Sequence, residues 1–157
     1  MDKNLQLTVL SNGLRVLVEE DERFPLVSIR LYVHAGSAYE KPEEAGISHL
    51  LEHMVFKGTA KRSAGQVARD IENVGGSLNA STGFDQTIYM LDLPASHWDL
   101  GLEVLHDLAF SPALDSEELE REKKVVLSEL ERNEDNPGRR LFQDMQKMVW
   151  RNTAYER

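Results

Sequence analysis

The chain has 157 residues, of which 41% are hydrophobic and 29% are charged, and this balance is typical of one globular domain with its own core. Its 18 basic and 27 acidic residues give a net charge of −9, which argues against a nucleic-acid-binding surface. The chain has no cysteine, which excludes disulfides and thiolate metal sites, so any zinc requires histidine and carboxylate ligands.

The sequence pattern predicts neither a membrane span nor a signal peptide. No apolar run approaches the ~20 residues of a spanning helix. The first residues, 1–6, lack the apolar stretch of a signal peptide. We therefore expect a cytoplasmic location, or a periplasmic or organellar one if a targeting segment has been removed.

The first part of the chain predicts three strands. Apolar residues alternate with polar ones over 5–9 and again over 14–18, and the turn signal Ser11-Asn12-Gly13 lies between them. The run 26–35 predicts a third and more buried strand.

Two helices and two more strands follow. The first helix is expected over about 43–56, where Gly58 ends it, and the second begins after an N-cap at Ser63 and ends at residues 75–76. Residues 77–82 and 86–93 then predict two strands on either side of Gly83.

The rest of the chain predicts three helices. Ser96 is the expected cap of a helix with one apolar face formed by Trp98, Leu102, Leu105 and Leu108. Ser116 begins a long helix to about residue 135, and a last amphipathic helix spans about 139–150. This order predicts an α+β fold in which a mostly antiparallel sheet packs against helices.

Residues 49–53, His-Leu-Leu-Glu-His, form the strongest chemical motif. At about 100° per residue, His49, Glu52 and His53 fall within roughly a 100° arc of the helix. Two imidazoles one turn apart can hold one metal ion, and the neighbouring carboxylate can act as general base towards a water on that ion. The alternative is a histidine pair satisfied by protein neighbours. The apolar residues around the motif imply a buried face, which favours a shared partner for the three groups.

A third ligand has to come from another element. Three other histidines are candidates, although each stands alone in its element: His34, His97 and His106. Glu122 and Glu129 are better candidates, because they lie seven residues apart on the apolar stripe of the long helix. Alternatively, both are edge residues of an acidic surface helix, as we expect for Glu120 and Glu131.

The motif His49 to His53, followed by Glu122 and Glu129, resembles the pitrilysin or insulinase-like family of zinc peptidases, the inverzincins, to which the mitochondrial processing peptidase belongs. The resemblance covers nearly the whole chain and includes six further segments, namely 10–15, 36–40, 56–59, 75–82, 87–89 and 122–129.

This resemblance implies roles for individual residues. The ligands of one zinc ion would be His49, His53 and Glu129, with Glu52 as the general base. Glu122 would orient a ligand histidine. The segment Asn79, Ala80 and Ser81 would be an edge strand with which an extended substrate peptide pairs. Alternatively, Asn79 and the preceding glycines form only a turn that enters a hairpin, and the two interpretations are compatible.

The implied activity is zinc-dependent endopeptidase action on peptides or unfolded protein segments. A non-catalytic structural subunit of the same fold is the alternative. Family enzymes close two homologous lobes around the peptide, so we expect a second lobe on the same chain or on a partner subunit. Residues 1–157 are expected to be the N-terminal part of one peptidase domain. Alone, they should bind zinc, cleave peptides weakly or not at all, and self-associate through open sheet edges.

Overall fold

The computed structural model describes residues 4–156. The strands are β1 (Leu5–Val9), β2 (Arg15–Glu19), β3 (Leu26–Val33), β4 (Ser77–Thr82) and β5 (Thr87–Pro94). The helices are α1 (Ile47–Val55), α2 (Ala64–Glu72), α3 (Trp98–Phe110), α4 (Ser116–Glu134) and α5 (Pro137–Val149). The α+β prediction is confirmed, since antiparallel sheets pack against helices.

Two antiparallel sheets are present. The strands β1 and β2 form a hairpin, whereas β3, β5 and β4 form a three-stranded sheet in that order, with β5 in the centre. The register places Leu91 of β5 beside both Ile29 of β3 and Leu78 of β4. Among residues 4–156, β4 has β5 as its only strand neighbour, so its other edge carries unpaired backbone groups.

The core lies between β5 and the helices. Alternate residues of β5 are buried because one face of the strand is covered: Thr87, Tyr89, Leu91 and Leu93. The main apolar cluster joins this face to α2 and α3 through Val67, Ile71, Leu91, Leu93, Val104 and Leu108. A smaller cluster of Val55, Tyr89 and Leu105 brings α1 onto the same face.

Helix α3 packs closely on β5 because Gly101 has no side chain. A Cβ atom at Gly101 would lie 2.9 Å from Cδ2 of Leu91 and 3.1 Å from Cδ2 of Leu93. The buried face of α3 consists of Gly101, Val104, Leu105, Asp107 and Leu108. The prediction of the apolar face of α3 is therefore partly wrong. Trp98 and Leu102 are exposed, since the packed face is centred on Gly101 and Val104.

The first helix begins later than the sequence pattern indicates. Residues Pro42–Glu44 form a short 3-10 turn, and α1 starts only at Ile47. Gly46 lies between them with a φ of 91°, a left-handed conformation that glycine adopts readily and that interrupts the helix. The second helix starts directly after Ser63 as predicted, although the Ser63 side chain makes no capping hydrogen bond.

Other boundaries show what local patterns miss. A 3-10 turn at Ala95–His97 displaces the start of α3 to Trp98, so Ser96 is not its cap. The long helix α4 starts at Ser116 as predicted, and the Asp115 carboxylate caps it by accepting hydrogen bonds from the backbone of Glu117 and Glu118. The prediction that β3 is more buried than β1 and β2 is confirmed, because its alternate residues Val27, Ile29 and Leu31 are half-buried, whereas β1 is exposed throughout and β2 has one half-buried residue.

A buried ion cluster fixes the loop before α2 against α3. The Arg62 guanidinium contacts the buried carboxylate of Asp107 through Nη1, and it also pairs with Asp70 at 2.9 Å and Glu103 at 3.1 Å. The Arg62 and Asp107 side chains are only 9% and 3% exposed. No helix within residues 4–156 has the length and apolar character needed to cross a membrane.

Candidate metal centre

Helix α1 presents the two histidines of the motif side by side. Their ring centroids are 4.8 Å apart, and the ring planes are nearly perpendicular at 89°. This edge-to-face arrangement follows from the spacing of four residues, about one helical turn, between His49 and His53. Both imidazoles are part-exposed and can therefore be reached from solvent.

Helix α4 brings a carboxylate to this pair. The Oε2 atom of Glu129 lies 3.9 Å from Nε2 of His49 and 3.6 Å from Nε2 of His53. Zinc holds tetrahedral ligands at 2.0–2.2 Å, which puts neighbouring ligand atoms about 3.3 Å apart. Both distances to Glu129 are thus close to the spacing that one ion requires. The donor atoms of the three residues all lie within 4.8 Å of one another, and they form the one such group within residues 4–156. Two imidazoles and one carboxylate are a donor set of catalytic zinc sites.

A buried carboxylate fixes the orientation of the second histidine. Oε2 of Glu122 lies 3.1 Å from Nδ1 of His53, and its Oε1 atom lies 2.6 Å from Nζ of Lys57. Burial opposes ionisation, but the hydrogen bonds from Lys57 and His53 outweigh it and hold the pKa of Glu122 below its ordinary value. An ionised Glu122 accepts a hydrogen bond from Nδ1–H of His53, so that the Nε2 lone pair of His53 points towards Glu129.

The carboxylate between the histidines contacts the sheet. Oε2 of Glu52 accepts a hydrogen bond from the hydroxyl of Thr82, the last residue of β4. Burial raises the pKa of Tyr89 above its ordinary value, and the nearby Glu52 carboxylate raises it further. These neighbours place Glu52 in a half-buried position where α1 meets the sheet.

The start of α1 depends on a carboxylate from outside the helix. Glu40 is buried and accepts hydrogen bonds from the backbone N–H groups of Gly46 at 2.7 Å and Ser48 at 2.8 Å. These are among the backbone donors that a helix leaves unpaired at its first turn. Glu40 thus fixes the end of α1 that carries His49.

Three of these supporting residues do not follow from the sequence patterns: Glu40, Lys57 and Thr82. Each belongs to a segment that carries the family resemblance, and this was the one available signal. No local pattern shows that a residue of one element contacts a side chain of another, so their roles appear only in the folded chain.

The other residues considered as ligands from the sequence lie outside the metal-ligand group. Within residues 4–156, no further histidine joins the cluster. His34 contacts Tyr39, and His106 is exposed beside Asp107. Glu120 pairs with Lys123 on the surface, and Glu131 is exposed.

The predicted substrate segment lies on the open-edged strand β4. Asn79 and Ser81 are exposed and face away from the helices, whereas Ala80 is half-buried on the helix side opposite Tyr89. Gly75, with a φ of 79°, lies in the turn that leads into β4. Asn79 itself lies within β4, so the turn interpretation holds for Gly75 but not for Asn79.

A cleft of about 310 Å³ opens beside the histidines, between the start of α1 and the turn that joins β4 to β5. It is lined by Ser37, Glu40, Ala45, Gly46, His49, Thr82, Gly83 and Phe84. The metal-ligand group thus lies at an accessible surface next to the end of β4.

Fold and site together define an α+β domain in which two helices carry a group of residues that could hold a metal ion. The insulinase family of peptidases, family M16, matches residues 15–157. A Rickettsia felis protein named as an uncharacterized zinc protease is 37% identical over 151 residues, which cover 96% of this chain and 37% of that protein. The mitochondrial-processing peptidase subunit beta of Bos taurus is 38% identical over 152 residues, covering 97% of this chain and 31% of that subunit. The chain belongs to the insulinase family of peptidases, and it spans about a third of the length of these relatives.

Solved structures agree with this assignment. A protease from Helicobacter pylori matches with a TM-score of 0.90 and 29% identity over 97% of this chain and 37% of that one. An inactive domain of an M16 peptidase from Pseudomonas fluorescens matches with a TM-score of 0.88 and 22% identity over 98% of this chain and 37% of that one. The second match supports the fold alone, and the resemblance noted from the sequence is confirmed.

Proposed function

We propose that this protein is a zinc-dependent endopeptidase that hydrolyses peptides or unfolded protein segments. The observation that carries the proposal is the convergence of His49, His53 and Glu129 from two helices, with Glu52 on the same turn as the histidines. The relative named as a zinc protease supports the choice of metal.

In this proposal, Nε2 of His49, Nε2 of His53 and a carboxylate oxygen of Glu129 hold one zinc ion. Three protein ligands leave a fourth position open, which is the arrangement of catalytic rather than structural zinc sites. When bound, zinc lowers the pKa of water and polarises the scissile carbonyl. Glu122 keeps His53 in the ligating tautomer, and Lys57 keeps Glu122 ionised.

Glu52 acts as the general base. Glu52 is next to His53 in the sequence, so its carboxylate lies beside the metal ligands, and Glu52 is not itself a member of the ligand group. It takes a proton from the attacking water and then delivers that proton to the nitrogen of the leaving amine. The hydrogen bond from Thr82 occupies Oε2, which leaves Oε1 as the oxygen that accepts the proton.

The substrate peptide binds in extended form along the edge of β4. Asn79, Ala80 and Ser81 offer the backbone groups of an edge strand, and main-chain pairing of this kind tolerates many sequences. Thr82 ends the same strand and contacts Glu52, so a peptide paired with β4 passes close to the general base.

Efficient hydrolysis needs a second homologous lobe, on the same chain or on a partner subunit. The coverage of about a third of each relative, and the naming of one relative as a subunit, support this part of the proposal. Residues 1–157 by themselves bind zinc but lack the groups that clamp the peptide, so they cleave it weakly or not at all.

A non-catalytic structural subunit is the competing function. A domain of this fold from Pseudomonas fluorescens is described as inactive, so the fold does not decide between the two functions. The ligand set and Glu52 favour the peptidase, because a scaffold has no need for two histidines and a carboxylate with converging donor atoms.

The test measures hydrolysis of unfolded peptides by the longest natural form of the protein, with any partner subunit present. Removal of the metal should abolish hydrolysis, and added zinc should restore it. Glu52→Gln should reduce kcat by at least about 100-fold with zinc still bound. Glu120→Gln, on the exposed side of α4, serves as the matched control and should retain full activity. Undiminished hydrolysis by Glu52→Gln with bound zinc would show that the base is wrongly assigned.

A further inference from the structure

Thr82 joins the strand β4 to the carboxylate of Glu52. We propose that Thr82 is a positioning residue for catalysis, whose hydroxyl holds Oε2 of Glu52 and so directs Oε1 towards the attacking water. The proposal rests on the peptidase function argued above, and it adds a residue that neither the motif nor the metal-ligand group contains.

The hydroxyl protons near Glu52 have a defined direction. The hydroxyl of Thr87 lies 3.0 Å from the carbonyl oxygen of Ala35, which can only accept, so Thr87 donates its proton there. The Thr82 and Thr87 hydroxyl oxygens are 3.4 Å apart. The Thr82 hydroxyl lies much closer to the Glu52 carboxylate than to Thr87, and because an ionised carboxylate can only accept, Thr82 donates its proton to Glu52.

Glu52 has few other constraints. Among residues 4–156, Thr82 is the one hydrogen-bond donor to its carboxylate, and none donates to Oε1. A glutamate side chain has three rotatable bonds, so without a fixed partner it samples several orientations. One hydrogen bond to Oε2 therefore largely determines where Oε1 points.

The backbone of Thr82 is itself well placed. The residue is paired with Thr87 across the β4–β5 ladder, and its side chain lies on the helix-facing side of the sheet, as do those of Leu78 and Ala80. The same strand carries the proposed substrate edge. Thr82 thus fixes the position of the general base relative to the backbone of the bound peptide. This position matters because a small displacement of a reacting group can lower a rate about 100-fold.

The experiment compares Thr82→Val with Thr82→Ser in the longest natural form of the protein with zinc bound. Valine keeps the shape but removes the donor, whereas serine keeps the hydroxyl. We expect Thr82→Val to lower kcat by about 10- to 100-fold with KM and zinc content unchanged, and Thr82→Ser to keep kcat within about threefold of the wild type.

Thr87→Val is the matched control, because it removes the neighbouring hydroxyl, which does not contact Glu52. It should lower thermal stability but keep kcat within about threefold. A Thr82→Val enzyme with wild-type kcat would overturn the proposal. So would a Thr82→Ser enzyme as slow as Thr82→Val, or a variant in which KM rises while kcat is kept.

Failure of the peptidase function itself is recognised separately. It would appear as a wild-type protein without zinc-dependent hydrolysis, or as a Glu52→Gln variant with full activity. In either case crystal structures of the two Thr82 variants decide the positioning claim. The Glu52 carboxylate should turn away or disorder in Thr82→Val and keep its direction in Thr82→Ser, and an unchanged carboxylate in Thr82→Val would overturn the claim.

Discussion

Nδ1 of His53 lies 3.1 Å from Oε2 of Glu122, although the two residues are 69 positions apart in the sequence. This contact joins α1 to α4 and leaves Nε2 of His53 directed at Glu129. The site is therefore a two-helix structure. Glu129 of α4 supplies a donor atom, and Glu122, about two turns earlier on the same helix and more deeply buried, orients His53.

Glu122→Gln should weaken zinc binding. The amide is similar in shape but carries no charge, so it supports the ligating tautomer of His53 less well and leaves Lys57 without its counter-ion. We expect zinc affinity to fall by about 10- to 100-fold, measured by competition with a chelator. Glu120→Gln on the exposed side of α4 should not change it, and an affinity of Glu122→Gln within about twofold of the wild type would contradict the role of Glu122.

Lys57→Met should change the pH dependence of folding in the metal-free protein. Hydrogen bonds from Lys57 and His53 hold the pKa of Glu122 below its ordinary value against the opposing effect of burial. A carboxyl with a lowered folded-state pKa stabilises the fold above its unfolded-state pKa, and this stability is lost as pH falls through the folded-state pKa. Without Lys57 the folded-state pKa rises, so the loss should begin at a higher pH.

The measurement for Lys57→Met is urea unfolding at a series of pH values, from neutral down through the carboxyl range. Lys147→Met, an exposed lysine on α5, is the control and should follow the wild-type curve. Identical acid transitions for Lys57→Met and the wild type would show that Lys57 does not control Glu122.

Glu40→Ala should loosen the start of α1. The change removes the acceptor for the backbone N–H groups of Gly46 and Ser48, and loss of a helix cap typically costs about 1 kcal/mol. We also expect weaker zinc binding, because His49 lies in that first turn. Chemical denaturation and chelator competition measure the two effects. Glu43→Ala, an exposed acid of the preceding turn, should change neither, and normal stability of Glu40→Ala would refute the capping role.

Arg62→Met should destabilise the fold without touching the metal centre. It leaves the carboxylate of Asp107, only 3% exposed, without its main cation, and breaking a buried pair in this way costs about 3 kcal/mol. Arg23→Met, which breaks the exposed pair with Asp21, is the control and should change stability little. Equal unfolding midpoints for the two variants in urea would contradict this account of the buried cluster.

Much of the fold follows from local sequence patterns, and the errors have specific causes. The alternation of apolar and polar residues over 5–9 and the acidic start of α4 at Ser116 are local signals, and the structure has the strand and the helix that they predict. Helical periodicity predicts too early a start for α1, because it does not encode the left-handed φ of Gly46. It also predicts the wrong packed face for α3, because that face depends on how closely Gly101 approaches β5.

The residues of the candidate site also fall into those that the sequence indicates and those that only the fold shows. His49, Glu52 and His53 lie on one turn of one helix, so their spacing alone indicates that they act together. The roles of Glu122 and Glu129 depend on the packing of α4 against α1. The sequence does not show this packing, so it allows both a metal site and an acidic surface helix. The Thr82 hydroxyl and the Lys57 ammonium act through contacts between elements, and only the folded chain shows these contacts.

Anomalous diffraction at the zinc absorption edge, from crystals of the wild-type protein grown with zinc, tests the central claim most directly. The account predicts one zinc ion per chain, bound by Nε2 of His49, Nε2 of His53 and a carboxylate oxygen of Glu129, with Glu52 nearby but not ligating. An absence of zinc from these three residues, or a zinc ion ligated by Glu52 or by another histidine, would contradict it.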